Sequence, residues 1–262
     1  MTVSQRIRRA ALPTALAAVI GLGGFAAGAA AAGPGDTTRP PAATAPSGQA
    51  AAAGYADVVR QVLPSVVLIR TGTGLGSGVV LDDAGHIVTN AHVAGDAGTF
   101  QVQLAGDPEP RAGSLVGSYA AGDLAVIRVA DRSGLQPASF GNSDQARTGD
   151  VVLAVGNPLG LASSVTEGIV SATGRAVTGP ATPGSPGVVL PNAIQTSAPI
   201  NPGNSGGALV NTAGQVIGIP TLAAASAQYG GQAQGIGFAI PANLARDIAG
   251  QLIESGQVTS GG

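Results

Sequence analysis

Between Val66 and Ala239 the apolar positions fall in short, β-branched runs. They read "SVVLIRT", "SGVVLD", "HIVTNAHV", "TFQVQL", "LAVIRVA", "DVVLAVGN", "TEGIVSATG", "GGALVN", "QVIGIPT" and "IGFAIP", with Gly, Asp, Asn or Pro between them. Runs of this length bounded by turn residues predict strands, and "DDAG" at 82–85 and "NTAG" at 211–214 have hairpin-turn chemistry. So many evenly spaced strands, with no helical period between them, exclude an alternating strand–helix fold and predict barrels or a sandwich. The two halves, about 56–132 and 139–240, each hold about half of the runs. After Pro241 the period changes. Leu244, Ile248 and Leu252 share one helical face, and Gly256 is placed to end a helix over about 242–255. Ahead of the first strand, "YADVVRQV" predicts a short helix.

The first 54 residues follow other rules. Arg6, Arg8 and Arg9 precede a stretch without charge from Ala10 to Ala32 that ends "AGAAAAG". This is the layout of an export signal over residues 1–32, with an uncleaved membrane anchor as the rival reading. Ala and Gly partition weakly into lipid, which favours cleavage. Residues 33–54 are Pro, Ala, Gly and Thr with few large apolar side chains, which predicts a disordered linker. The domain itself is expected over 55–258.

Composition narrows the chemistry. The chain of 262 residues is 44% hydrophobic but only 3% aromatic, so its core is built from Val, Ile, Leu and Ala. All 12 basic residues are arginine and the formal net charge is −2; no basic run follows the N-terminus, which argues against a nucleic-acid partner. Cysteine is absent, which excludes disulfides and a thiol nucleophile. With two histidines a zinc site is not expected, and no metal or other cofactor is implied.

Within "INPGNSGG", residues 200–207, Ser205 stands among three glycines. A hydrolytic serine needs a base. His86 follows the "DDAG" turn and reads as a solvated turn residue. His92, where a buried run gives way to small residues, is better placed to hold its geometry. The third partner is a carboxylate tolerated in an apolar setting because it is paired. Asp123, directly before "LAVIRV", fits, whereas Asp82, Asp83, Asp96, Asp107, Asp131, Asp144 and Asp150 lie in polar or turn segments. The glycines of "TGTGLGSGVV" have no helix after them and read as barrel turns rather than a nucleotide site, and Ser77 among them lacks the spacing of a nucleophile elbow.

"IVTNAHV", "GDLAVIRV" and "NPGNSGGALVN", in the order His, Asp, Ser, resemble the three catalytic blocks of the HtrA (DegP/DegQ-type) trypsin-like serine proteases. "GSGVVLD", "AVGNPLGLASSVTEGIVSATGR" and "GIGFAIPANLA" extend the resemblance over about residues 55–258. It implies an all-β chymotrypsin fold of two six-stranded antiparallel barrels, with a short N-terminal and a C-terminal helix. It also implies a serine endopeptidase acting on unfolded or damaged polypeptides. His92, Asp123 and Ser205 would be its triad. Backbone N–H groups of the Gly203–Asn204–Ser205 loop would form its oxyanion hole. A non-proteolytic chaperone or peptide-binding module on the same fold is the alternative, and the intact triad set argues against it. Activity is expected to fall on the acid side as His92 protonates.

Trypsins carry an acid six residues before the nucleophile, where this chain has Pro199. The wall expected from Ile219, Pro220, Thr221 and Leu222 carries no charge, so small or medium aliphatic side chains are expected at the cleavage site. Three departures from the family pattern stand out. Nothing after "GQVTSGG" reads as a PDZ domain. Thr196-Ser197-Ala198-Pro199 replaces the usual T-D-A-A. Only Tyr55 and its helix could serve the family's N-terminal homotrimer contact. The setting implied is extracytoplasmic, secreted or bound to the cell envelope, with residues 10–32 as the tether if uncleaved.

Overall fold

The computed structural model describes residues 48–72, 74–157, 164–178, 188–201, 203–226 and 231–259. Strands β1 (Val66–Arg70), β2 (Leu75–Val80), β3 (His86–Thr89), β4 (Thr99–Leu104), β5 (Arg111–Tyr119) and β6 (Leu124–Val129) close into one antiparallel barrel in the order β1-β2-β3-β6-β5-β4. The second barrel comprises β7 (Val151–Gly156), β8 (Ser164–Thr178), β9 (Val189–Thr196), β10 (Ala208–Asn211), β11 (Val216–Ser226) and β12 (Gly231–Pro241). It closes in the order β10-β11-β12-β9-β8-β7. The double barrel replaces the sandwich alternative.

The apolar runs are continuous because several strands are buried on both faces. Val66, Val67, Leu68 and Ile69 of β1 are all 0% exposed. Val67 and Ile69 pack with Val80, Ile87, Val102 and Ile127, from the other strands of the first barrel. Val66 belongs instead to a cluster with Val79 and Leu124 of the first barrel and Leu153, Val155 and Ile219 of the second. That shared cluster fastens the barrels together. Each fully buried Val, Leu or Ile contributes about 1.5–3 kcal/mol, so such strands cannot alternate with polar residues.

The C-terminal helix α3 (Ala242–Ser255), counted after the two helices described below, delivers Ile248 and Leu252 to the same shared cluster. Gly256, at φ 72°, ends it with its N–H donated to the Leu252 carbonyl at 2.9 Å. The N-terminal helix α1 (Gly48–Val62) begins before Tyr55 and so takes in residues 48–54, which composition assigned to the linker. Alanine, which fills 50–53, is the strongest helix former, and Val58 and Val62 anchor the helix in the shared cluster. The expected signal or anchor over 1–32 and the rest of the linker lie outside the described residues.

Two strands, β5 and β9, fall where no run was read. β5 buries only two of its residues, and β9 carries Pro191 and exposed residues amid its buried ones. The glycines read as barrel turns also divide. Gly72 and Gly74 lie before β2, but Gly76 and Gly78 are inside it. A Cβ on Gly76 would lie 2.6 Å from Val93 Cγ2, and one on Gly78 the same distance from Ile87 Cγ2, so both positions are bare because the core presses on them.

Candidate active site

His92 sits in a single helical turn, α2 (Ala91–Ala94), which directly follows β3. Asn90 caps that turn from an extended conformation and is wholly buried; its side-chain amide donates to the Asp123 carbonyl at 3.1 Å. Asp123 ends the short turn before β6 at φ 53° and ψ 41°, and it is the sole non-glycine with positive φ among the described residues. Aspartate tolerates this left-handed conformation better than most residues. It turns the carboxylate back towards α2.

The Asp123 carboxylate is 1% exposed. A buried charge must collect donors to persist. Its Oδ1 accepts the His92 backbone N–H at 3.0 Å, and Oδ2 meets His92 Nδ1 at 2.9 Å. The Thr221 hydroxyl also donates to Oδ2. Contact through Nδ1 assigns the ring proton to that nitrogen and leaves Nε2 free to accept. The imidazole itself is 45% exposed, so its free edge is open to solvent.

Ser205 is partly buried in the loop between Asn201 and Ala208. Among the described residues no hydrogen bond joins it to His92. Its Oγ donates instead to the Thr221 carbonyl at 3.5 Å. Thr221 therefore touches both other members, Asp123 through its hydroxyl and Ser205 through its carbonyl. Resting serine–histidine contacts are often long and tighten only with substrate.

The loop is pinned from several sides. Ser205 O accepts from Ser77 N–H at 2.9 Å, Gly206 N–H donates to Pro220 O at 3.0 Å, and Asn204 N–H donates to Asn201 O at 3.0 Å. Gly206 has φ +78°, and any Cβ there would fall onto Ser77 O and Thr89 Oγ1. Glycine is required on both counts. Gly203 has φ +104°, and among the described residues neither its N–H nor that of Ser205 meets an acceptor.

Several expected site residues take other positions. Asn204 is 1% exposed and its N–H is already used, so it faces the interior and not an oxyanion. Ile219 is 0% exposed within the shared core, and Thr221 aims its hydroxyl at Asp123; neither side chain forms a pocket wall. Pro220 is buried and offers its carbonyl to Gly206, while Pro199 is exposed and its carbonyl accepts from Thr166 Oγ1 at 2.8 Å. Leu222 pairs with Phe238 across β11 and β12. His86, read as a solvated turn residue, is only 12% exposed and holds Asp82. The roles of Thr221 and Asn90 were not legible, because each acts through a residue far away in sequence.

The family model for a trypsin-like peptidase domain matches residues 76–219, which include His92, Asp123 and Ser205. The periplasmic serine endoprotease DegP of Escherichia coli is 45% identical over 188 residues, which cover 71% of this chain and 37% of DegP. The serine protease PepD of Mycobacterium tuberculosis is 40% identical over 235 residues, 84% of this chain and 49% of PepD. The chain thus spans about half or less of the length of these two relatives. Among solved structures, the HtrA-type protease AlgW with tripeptide superposes with a TM-score of 0.67 at 44% identity, covering 78% of this chain and 65% of that one. The serine endoprotease from Yersinia pestis gives 0.65 at 41% identity, covering 78% and 68%.

Proposed function

The chain belongs to the trypsin-like peptidases, with HtrA-type proteases as its relatives, and from that premise we propose that it is a serine endopeptidase acting through Ser205, His92 and Asp123. The observation that carries the assignment is the buried Asp123 carboxylate, which holds His92 by Nδ1 while Thr221 ties it to Ser205.

In this mechanism the Ser205 hydroxyl swings from the Thr221 carbonyl to His92 Nε2. Nε2 takes its proton as Oγ attacks the peptide carbonyl, then returns that proton to the leaving amine. Asp123 keeps the ring in the reactive tautomer and stabilises its charged form. The N–H groups of Gly203 and Ser205 receive the charge that develops on the carbonyl oxygen. Water then attacks the acyl-enzyme with His92 as base. Unfolded polypeptides are the substrate class, and small or medium aliphatic residues precede the cut; the uncharged Pro199 position supports this. The basic N-terminus and the apolar stretch 10–32 support an extracytoplasmic setting, by export or by tethering, and a homotrimer through Tyr55 and its helix completes the reading.

The test is degradation of casein, an unfolded protein, by the purified chain and by Ser205→Ala, with cleavage sites read by mass spectrometry. The variant is expected to lose about six orders of magnitude in kcat. Equal cutting by both, or binding of casein without cutting by either, would overturn the assignment. Cuts clustered after arginine would overturn the aliphatic preference alone.

A further inference from the structure

Ser77 lies on β2 of the first barrel and is 0% exposed, yet none of its polar atoms goes to waste. Its hydroxyl donates to the Gly203 carbonyl at 2.5 Å and accepts the Asn157 N–H at 2.8 Å. Its own N–H donates to the Ser205 carbonyl at 2.9 Å, and its carbonyl accepts from Thr89 Oγ1 at 2.7 Å. One residue of the first barrel thus grips the second barrel's loop on both sides of Asn204. The floor beneath is equally tight. A Cβ on Gly156 would lie 2.7 Å from Gly203 O and 2.8 Å from Asn204 Cα. Asn157 is fully buried, with neither side-chain amide atom bonded among the described residues. Ser77 Oγ is therefore the hydrogen-bonded link between Asn157, just after β7, and the loop of Gly203.

From this geometry we propose that Ser77 is a positioning residue of the reaction. Its hydroxyl sets the orientation of the peptide after Gly203, and with it the direction in which the Gly203 and Ser205 N–H groups point. The inference rests on the triad and oxyanion reading above and goes one step further, to what aims the donors. Core packing alone would be served by Ala or Gly, since a buried hydroxyl adds no apolar contact and costs desolvation unless bonded at both ends. Here both ends are bonded, and the acceptor is the loop whose aim matters in the transition state. Misaimed donors weaken the transition state and leave substrate affinity nearly intact.

The experiment compares the parent chain, Ser77→Ala and Ser205→Ala on a chromogenic peptide cut by the parent, and measures the affinity of a peptidyl boronic acid, which mimics the tetrahedral adduct. Ser77→Ala is expected to lower kcat by about ten- to a hundred-fold, less than outright loss of an oxyanion donor. KM should stay within about two-fold. Boronate affinity should fall in parallel with kcat, while the thermal midpoint changes little. Should Ser77→Ala fail to fold, Ser77→Cys, which keeps a side chain of similar shape but makes only weak hydrogen bonds, is read in the same way. A kcat within two-fold of the parent, a change confined to KM, or failure of both variants to fold would overturn the proposal. Cleavage retained by Ser205→Ala would sink the reading beneath it, whereas full cleavage by Ser77→Ala and none by Ser205→Ala would sink this inference alone.

Discussion

Two histidine–aspartate pairs meet among the described residues, by nearly the same contact. His92 Nδ1 lies 2.9 Å from Asp123, and His86 Nδ1 lies 2.7 Å from Asp82. Their exposures are reversed. In the first pair the ring is 45% exposed and the carboxylate 1%; in the second the ring is 12% exposed and the carboxylate 40%. A dry carboxylate that holds a ring at the surface leaves the second ring nitrogen free for a substrate proton. A wet carboxylate that holds a buried ring can only fasten its own turn: Asp82 also accepts the backbone N–H groups of Ala84 and His86, at 2.9 and 3.1 Å. Span matters as well. The first pair joins residues 31 apart on separate elements, the second residues four apart in one hairpin. Contact distance alone would rank them the wrong way round.

The comparison breaks most visibly at Asp123. Asp123→Asn keeps the volume but disturbs the ring tautomer, and kcat is expected to fall about 10⁴-fold, the size of loss known for such a change in a triad. A loss under ten-fold would mean that burial of the carboxylate has nothing to do with activity. Thr221→Val takes one donor from the same carboxylate without touching the ring. A hydrogen bond to a charged group is worth about 1.5–3 kcal/mol, so urea unfolding should show a loss of that order, and kcat should fall about ten-fold. Unchanged urea unfolding would show that the hydroxyl is not needed to hold the buried charge.

The smallest effect is expected at the other pair. Asp82→Asn should leave kcat/KM within two-fold and lower Tm by no more than about 2–4 °C, because a partly exposed pair contributes little. A large loss of activity would erase the distinction between the pairs. The pH dependence sharpens it. Burial pushes the Asp82 carboxyl up, but hydrogen bonds from the His86 side chain and backbone, the His86 charge and the Ala84 N–H outweigh it, and the carboxyl ionises below its ordinary value. Such a group stabilises the fold above the unfolded carboxyl's value, and its contribution is lost as pH falls through the folded one. The Tm difference between the parent and Asp82→Asn should therefore close in acid, and a difference that widens there would contradict this.

What was legible follows from what each residue does locally. The apolar runs of β1, β6 and β7 declare themselves because both faces are buried, whereas β5 buries only two of its residues and β9 interrupts its own run with Pro191. Such strands exist because neighbours pair with them, and no pattern in their own residues requires it. Similarly, α3 announced both its buried face and its end, while α1 began earlier than its large apolar residues, because alanine extends a helix without marking a buried face.

The residue types alone singled out Ser205, His92 and Asp123. A serine among glycines, a histidine after a buried run and an aspartate before one are each odd in their local setting, and oddness is visible in one dimension. The duties of Ser77, Asn90 and Thr221 are not. A small polar residue in a strand is unremarkable until the chain brings its partner to it, across 126 positions for Ser77 and Gly203 and 98 for Thr221 and Asp123. The same holds for the two histidines, since burial is a property of the assembled barrels. Strand pattern, helix period and the chemistry of candidate groups belong to the sequence; which carboxylate is dry, which hydroxyl is bonded at both ends and which amide is free to meet a substrate are decided only when distant segments exclude water together.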